Sequence, residues 1–268
     1  MDMQVLQKSQ TIVRYQKLDG NVFYGRVEGN EILQLSKDFI DVVNNEFENN
    51  DGERINYSDV KILEPVVPSK IVNFGWTFTE HAIETGGKAN LKEPFLFLKP
   101  TSSLIPDQGE IILPSSDLTN QVEMEGEVAL IIGRNGKNIK EEEALDYVFG
   151  CTVFNDVTAR DLTKSDPQFT RGKGFDTFGP IGPCIVTGID PTNLRITTTL
   201  NGEVVQDGNT NQMSLSIPYL ISWISQVMTL EPGDVLATGS PSGSCPMKSG
   251  DVVVVEIENI GKLSNFVK

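Results

Sequence analysis

The segment VEMEGEVALIIG, residues 122–133, predicts a buried strand that is preceded by two alternating carboxylates, Glu125 and Glu127. Side chains two residues apart on a strand lie on the same face, so these two carboxylates are expected side by side. Neighbouring anions repel each other unless one is protonated or a cation lies between them. The pattern therefore indicates either a metal site or a solvated strand face, and alternating glutamates are common on the latter.

A third carboxylate, Asp156, lies at the end of the next predicted strand, Thr152 to Val157. It could complete an all-oxygen site with Glu125 and Glu127. Such a site, without a Cys or His ligand, favours the hard cations Mg²⁺ or Mn²⁺ with open water positions over zinc.

His81 is the only histidine of the chain, and Glu84 follows it at the i+3 position of a predicted helix that ends at Gly86-Gly87. This spacing places both side chains on one helical face and permits a His–Glu pair. The alternative is a surface histidine with an incidental helix contact.

Two further positions could meet an anion. Lys173 lies in a Gly- and Pro-rich segment, predicted as a loop, that follows Arg160 and Asp161. A lysine fixed there could bind a substrate carboxylate or oxyanion, although most lysines are simply exposed. The turn Thr238 to Gly243 could present backbone N–H groups to an anion, although such turns commonly have no ligand.

The rest of the pattern predicts an α+β protein dominated by strands. Turn residues between Thr11 and Ser36 indicate a small antiparallel meander, and the prolines of residues 64–68 indicate a boundary near Pro68. We expect a small N-terminal β-rich module, residues 1–68, and a catalytic domain, residues 69–268. Other predictions are a long loop containing Pro94, Pro100 and Pro106, helices at 140–149 and 217–228, a hairpin at Asn201-Gly202, and strands at 71–75, 128–133 and 251–257.

Composition excludes several classes of partner. The 268 residues include 22 Lys+Arg and 37 Asp+Glu, a formal charge of −15 that disfavours nucleic acid and anionic membrane surfaces. No apolar run approaches the roughly 20 residues of a membrane span, and the first ten residues lack a signal-peptide core, so we expect a cytoplasmic protein. Three widely separated cysteines, Cys151, Cys184 and Cys245, are expected to be reduced structural thiols.

The order of the motifs resembles the fumarylacetoacetate hydrolase family from about Ser69 to the C-terminus. The motifs are HAIE, EMEGEVALIIGRNGKNI, GCTVFNDVTARD, GKGFDTFGPIGP, NGEVVQDGNT, LEPGDVLATGSPSG and SGDVVVVEIENIG. The resemblance implies a mixed β-roll flanked by short helices, assembled as a homodimer.

The resemblance also implies roles for the candidate residues. Glu125, Glu127 and Asp156 match the metal ligands, and His81 with Glu84 matches a water-activating pair on a mobile lid. Lys173 matches a lysine that stabilises an enolate, Arg160 matches the arginine of an NDxxAR motif, and Ser240 stands where the family usually has threonine. Departures at Trp76, Thr163 and Cys184 surround the site and bear on substrate identity.

The expected activity is metal-dependent hydrolysis of a C–C bond in an acylpyruvate-like 1,3-diketo acid, which gives pyruvate and a carboxylic acid. The alternative is an oxaloacetate decarboxylase, or a 2-oxo acid isomerase or dehydratase, that uses the same enolate. A third possibility is a metal-binding or ligand-sensing protein without turnover, since a fold alone does not establish a function. Under either enzymatic hypothesis, the expected substrate is a small 2-oxo acid.

Overall fold

The computed structural model describes residues 9–44, 51–89 and 91–268. Strands account for 39% of the structure and helices for 19%, which confirms the predicted strand-dominated α+β class. The helices are α1 (Phe39–Asn44), α2 (Thr79–Glu84), α3 (Arg160–Ser165), α4 (Thr170–Lys173) and α5 (Ile217–Val227), with 3₁₀ turns at Tyr57–Asp59, Thr101–Ser103, Glu141–Tyr147 and Thr210–Gln212. Among the described residues, no helix is both long and apolar enough to cross a membrane.

Twelve of the described strands form one large mixed sheet. They are β1 (Thr11–Gln16), β2 (Val22–Glu28), β3 (Glu31–Ser36), β4 (Arg54–Asn56), β5 (Lys61–Ile62), β6 (Ile71–Gly75), β7 (Phe95–Lys99), β8 (Leu104–Ile105), β11 (Gly126–Ile132), β12 (Val148–Asn155), β14 (Gly179–Val186) and β17 (Val235–Ala237). The order is β4-β3-β2-β1-β14-β12-β11-β17-β6-β7, with β5 against β1 and β8 against β14. The predicted meander is present as β1 to β3, and β1 pairs with β14, so the N-terminal strands continue this sheet.

Two smaller sheets complete the fold. A five-stranded sheet has the order β16-β15-β18-β19-β9, and a two-stranded sheet joins β10 to β13. Their strands are β9 (Glu110–Ile111), β10 (Val122–Glu123), β13 (Thr158–Ala159), β15 (Arg195–Leu200), β16 (Glu203–Asn209), β18 (Val252–Ile257) and β19 (Gly261–Val267). The hairpin predicted at Asn201-Gly202 joins β15 to β16, and both turn residues have the positive φ that such a turn requires.

Strand β11 is buried on both faces and organises the core. Val128 and Leu130 belong to the larger apolar cluster, which also receives α5, whereas Ala129 and Ile131 belong to a second cluster on the opposite face. Pairing then fixes where the site lies. Strand β11 is antiparallel to β12 and β17, and β17 is parallel to β6, so the first residues of β11 meet the last residues of the other three strands at one edge.

Three local predictions were wrong. The predicted long loop contains β7, a five-residue strand between Pro94 and Pro100 that pairs with β6 along its whole length. The predicted helix at 140–149 is a 3₁₀ helix, Glu141–Tyr147, because residue 148 already begins β12. Lys173 ends the single turn of α4 instead of lying in a loop, and β14 occupies the proline-containing end of that segment. Residues 44–54 form an acidic, Asn-rich stretch of the sequence that precedes the predicted boundary near Pro68, and residues 45–50 of it lie outside the described residues.

Candidate active site

An acidic triad lies where these strand ends meet. Carboxylate oxygens of Glu125, Glu127 and Asp156 all lie within 4.8 Å of one another, and all three side chains are buried. Glu127 is part of β11, Glu125 precedes it, and Asp156 follows β12. The backbone N–H of Asp156 donates to the carbonyl of Glu125 over 2.8 Å. The pattern of alternating glutamates followed by a distant aspartate therefore becomes one compact cluster of negative charge.

Three cations surround this triad. The Nζ atom of Lys173 lies 2.6 Å from Oε2 of Glu125 and 2.5 Å from Oδ2 of Asp156. Lys99 Nζ lies 2.6 Å from Oδ1 of Asp156, and the guanidinium of Arg160 donates to Oε1 of Glu125. Among the described residues, no cation lies at hydrogen-bond distance from Glu127, and its Oε2 instead accepts the backbone N–H of Gly239 over 2.8 Å.

Charge and burial shift the pKa values of Glu125 and Glu127 in opposite directions. Burial alone would raise the pKa of Glu125, but Lys173 and Arg160 outweigh it and hold that pKa well below its usual range. Burial raises the pKa of Glu127, and the charges of Asp156 and Glu125 raise it further, to well above its usual range. Ionisation of Glu127 is therefore unfavourable unless a further positive charge is bound beside its carboxylate.

This donor set fits a divalent cation. Three buried carboxylates with oxygens within 4.8 Å of one another supply hard oxygen ligands, and the raised pKa of Glu127 marks negative charge that the neighbouring side chains do not balance. A cation among these oxygens would remove that repulsion. The cluster can therefore bind a divalent metal ion.

Helix α2 covers the triad and carries the histidine. His81 is buried, with Nε2 3.2 Å from Oε1 of Glu125 and Nδ1 3.4 Å from Oε2 of Glu84. Burial would lower the pKa of His81, but its hydrogen bonds with Glu125 and Glu84 outweigh burial and raise it. The hydrogen bond with His81 lowers the pKa of Glu84, whose carboxylate also accepts the N–H of Gly243 at 3.0 Å. The predicted pair is present and points at the triad.

The predicted turn at 238–243 forms the opposite rim. Ser240 is buried, lines the pocket, and accepts a hydrogen bond from Nε2 of Gln206 over 2.8 Å. The Oε1 atom of the same amide accepts the N–H of Gly126 over 2.9 Å. Gln206 thus fixes Ser240 relative to the first residue of β11.

The pocket at the triad is lined by charged, polar and aromatic side chains. All the predicted site residues except Glu84 line it. The complete lining is Phe74, Gly75, Trp76, His81, Phe97, Glu125, Glu127, Asp156, Arg160, Phe169, Lys173, Gly239 and Ser240. A buried pocket with this mixture of charged and aromatic lining residues suits a small organic acid better than a polymer.

Two buried charged residues of the site were missed by sequence reasoning. Lys99 is 3% exposed, and burial lowers its pKa to about 8 despite the contact with Asp156. Glu123 accepts the Nε–H of Arg160 over 2.7 Å and so holds the other end of that guanidinium. Glu123 continues the alternation of Glu125 and Glu127 by one step, which was a usable signal. The signal for Lys99 was weaker, since it consists only of the apolar run of residues 95–98 between Pro94 and Pro100.

Comparison with known proteins agrees with this arrangement. The family model described as fumarylacetoacetate (FAA) hydrolase C-terminal matches residues 70–268. The chain belongs to the fumarylacetoacetate hydrolase family. The match spans all of the acidic triad, its three cations and helix α2, so the resemblance inferred from the motifs is confirmed.

Relatives within the family have different named activities. A curated relative, oxaloacetate tautomerase YisK of Bacillus subtilis, is 42% identical over 223 residues, which cover 78% of this chain and 74% of the relative. A solved 2-hydroxyhepta-2,4-diene-1,7-dioate isomerase from Mycobacterium marinum has a TM-score of 0.85 and 36% identity, with 96% of this chain and 98% of that chain covered. A fumarylacetoacetate hydrolase from psychrophilic Exiguobacterium antarcticum has a TM-score of 0.85 and 35% identity, with 97% and 99% covered. Family membership therefore indicates an enzyme and leaves the reaction open among hydrolysis, isomerisation and tautomerisation.

Proposed function

We propose that this chain is an enzyme that binds Mg²⁺ or Mn²⁺ through Glu125, Glu127 and Asp156 and hydrolyses a C–C bond of an acylpyruvate-like 1,3-diketo acid. The observation that carries the proposal is the orientation of the His81 ring toward the acidic triad. His81 Nε2 lies 3.2 Å from a carboxylate oxygen of the triad, with Glu84 behind the ring at Nδ1. A buried imidazole held in this way is placed to move a proton beside a metal-held substrate.

The proposed reaction adds water across the bond between C3 and the acyl carbon. His81 takes a proton from water, the oxygen of that water attacks the acyl carbonyl, and the C–C bond breaks with its electron pair moving to C3. His81 then returns the proton to C3, so the products are pyruvate and a carboxylic acid. When bound, a divalent cation supplies a Lewis acid for the carboxylate and 2-oxo oxygens of the substrate.

The remaining charged and polar residues of the site have positioning and charge roles in this proposal. Glu84 selects the tautomer of His81 by accepting at Nδ1. Lys173 lies within 2.6 Å of two triad carboxylates, so its ammonium is near the oxygen on which enolate charge develops. Arg160 and Ser240 face the same pocket and are proposed to contact the substrate acid group.

A second candidate is enolate chemistry without water: tautomerisation or decarboxylation of oxaloacetate, or a related 2-oxo acid isomerisation. The observation in its favour is the 42% identity to a Bacillus subtilis protein named as an oxaloacetate tautomerase. The same pocket would serve, because a tautomerase needs a group that moves one proton between C3 and the enol oxygen. His81 occupies that place as well.

The test is a comparison of three reactions on protein loaded with Mg²⁺ or Mn²⁺. Pyruvate release is measured from acetylpyruvate and from oxaloacetate, and the decay of the enol absorbance is measured for oxaloacetate, each with an EDTA-treated sample and with His81→Ala. Metal-dependent release from acetylpyruvate that is lost in His81→Ala supports hydrolysis. Accelerated enol decay without pyruvate release would make the chain a tautomerase. Release from oxaloacetate that survives the substitution would make it a decarboxylase.

A homodimer is the assembly that the family resemblance implies, and we propose it here. Light scattering coupled to size-exclusion chromatography measures the mass directly. A mass of one 29.5 kDa chain would contradict the proposal.

A further inference from the structure

An aromatic cluster forms part of the lining of the pocket. Trp76, Phe97 and Phe169 line the pocket, and Phe95 lies behind them. The ring centroids of Phe95 and Phe169 are 4.5 Å apart, those of Trp76 and Phe95 are 4.7 Å apart, and those of Phe97 and Phe169 are 5.6 Å apart. These contacts are in the range of stable aromatic packing, so the cluster is a preformed apolar surface. We call it the aromatic wall.

The wall joins the three elements that carry the chemistry. Trp76 precedes the helix of His81, Phe97 belongs to the strand of Lys99, and Phe169 caps the single turn that ends at Lys173. The backbone N–H of Lys173 donates to the carbonyl of Phe169 over 2.9 Å, and its ammonium lies 4.9 Å from the centre of the Phe97 ring. A group that fills the space beside the wall therefore lies next to the proposed reacting centre.

Trp76 holds an unusual conformation that its neighbours stabilise. Its φ is +59°, a left-handed conformation that is an outlier for a bulky residue. The indole ring lies so close over Gly87 that a Cβ there would be 2.4 Å from it. Its Nε1–H donates to Oγ1 of Thr85 over 3.2 Å, and that hydroxyl donates to the carbonyl of His81 over 2.8 Å. The indole is thus connected to the backbone of His81 through one hydroxyl.

The cationic side chains that line the pocket are already paired with carboxylates. Among the lining residues, Arg160 is bound by Glu123 and Glu125, and Lys173 is bound by Glu125 and Asp156. The wall presents rings, and the ammonium of Lys173 that lies over Phe97 is already bound by Glu125 and Asp156. A carboxylate placed against the wall would lose its hydration and would find this cation already paired, which is costly.

We propose that the aromatic wall is the subsite for the distal group of the substrate, that it accepts an uncharged apolar acyl chain and rejects a second carboxylate, and that Trp76 is its specificity-determining residue. The proposal rests on the proposed binding of a 2-oxo acid at the triad. It adds that the 1,3-diketo acid is a monocarboxylate with a short alkyl or similar acyl group, in contrast to a dicarboxylate.

The first test measures binding without turnover. Calorimetric titration of the Mg²⁺-loaded protein uses pyruvate, 2-oxobutyrate, 5-methyl-2-oxohexanoate and 2-oxoglutarate. The last two have nearly the same shape and differ in an isopropyl group against a carboxylate. We expect each buried methylene to strengthen binding about fourfold over pyruvate, and 2-oxoglutarate to bind at least about tenfold more weakly than its isostere.

Each outcome of this titration has a definite meaning. Equal or tighter binding of 2-oxoglutarate overturns the wall proposal while the 2-oxo acid site stands. Binding of pyruvate with rejection of both longer acids also overturns it, because the wall is then no subsite. No binding of pyruvate in the presence of metal means that the proposed function itself fails.

The second test assigns the preference to Trp76. Trp76→Ala should leave pyruvate affinity within about twofold and reduce the preference for 5-methyl-2-oxohexanoate over 2-oxoglutarate by about tenfold. Trp76→Phe keeps a ring and removes the bond to Thr85, so the preference should persist while kcat on acetylpyruvate falls. Trp223→Phe on α5 is the control and should change neither quantity. Equal weakening of every ligand by Trp76→Ala would indicate a merely structural role and overturn the assignment.

Discussion

The Nε2 atom of His81 lies 3.2 Å from Oε1 of Glu125, and Arg160 donates a hydrogen bond to the same oxygen. One carboxylate oxygen thus links helix α2 to the buried ion pairs beneath it. The imidazole is thereby held by the same carboxylate that would bind the metal. Substitutions around this contact should therefore distinguish effects on proton transfer, on metal binding and on the free energy of unfolding.

Glu84→Gln tests the support behind the imidazole. Glutamine can still accept the N–H of Gly243 at its amide oxygen, but it removes the negative charge beside Nδ1 of His81. We expect kcat on acetylpyruvate to fall by about 10- to 100-fold with little change in KM, since only proton transfer is weakened. The matched control is Glu80→Gln on the same helix, whose carboxylate contacts Ser242 and should change kcat less than about twofold. Equal losses in both variants would point to disruption of α2 instead.

Glu127→Gln tests whether the triad binds a metal. Because the pKa of Glu127 is raised well above its usual range, a neutral amide should change the free energy of unfolding without metal by less than about 1 kcal/mol. The wild-type protein should gain about 2.7 kcal/mol at a metal concentration of 100 times its Kd, and the variant should lose most of that gain. Thermal unfolding with EDTA and with added Mg²⁺ or Mn²⁺ measures both effects. An unchanged metal response would remove Glu127 from the ligand set, and Glu256→Gln on an exposed strand position is the control.

Arg160→Leu tests the buried ion pairs. The substitution leaves the buried carboxylates of Glu123 and Glu125 without their shared guanidinium. We expect a loss of about 3–5 kcal/mol in the free energy of unfolding, measured by urea denaturation. Arg171→Leu breaks an exposed pair with Asp166 and should cost at most about 1 kcal/mol. Similar losses in the two variants would contradict the view that burial makes the first pair indispensable.

Tyr24→Phe tests alkaline stability. Burial raises the pKa of Tyr24 from 10.0 to about 12, so the folded state holds its phenol proton more tightly than the unfolded state. The resulting stabilisation is present below pH 10 and is lost as the pH rises from about 10 to about 12, a change of roughly 2–3 kcal/mol. Unfolding of the variant should therefore depend less on pH across that window than unfolding of the wild type. Phe39→Leu alters the ring that packs on Tyr24 without altering a proton and should shift both ends of the curve equally. Parallel curves for wild type and Tyr24→Phe would refute the expectation.

The parts of the fold that were predictable are those with a strong local signal. The apolar run after Glu127 and the turn at Asn201-Gly202 identified their strands, because burial and positive φ leave marks in the sequence itself. Two of the three carboxylates were found from alternation alone. Asp156 was proposed to join them from its place at the end of the next predicted strand, and the resemblance then implied the same set, because a spacing of 29 residues between Glu127 and Asp156 specifies no distance.

The missed features are those that depend on distant partners. Lys99 resembles a surface lysine at the end of a proline-bounded segment, and only the pairing of β7 with β6 buries it beside Asp156. Lys173 gave the same weak local signal, and its turn of helix is stabilised by contacts with β7 and the aromatic wall. Residues 141–147 form a 3₁₀ helix and β12 begins at residue 148, and apolar periodicity specifies neither this helix type nor this boundary.

The carboxylate of Glu84 is shared between the imidazole of His81 and the N–H of Gly243. Seating α2 against the turn of residues 238–243 therefore brings His81 to Glu125 and fixes the carboxylate of Glu84 through Gly243 in one step. His81 and Glu84 lie on the same helix, so an acid too large for α2 to settle would hold both residues away from the triad and the turn together. Such an acid could bind at the triad without reacting, so selection by size would act on the rate of the reaction.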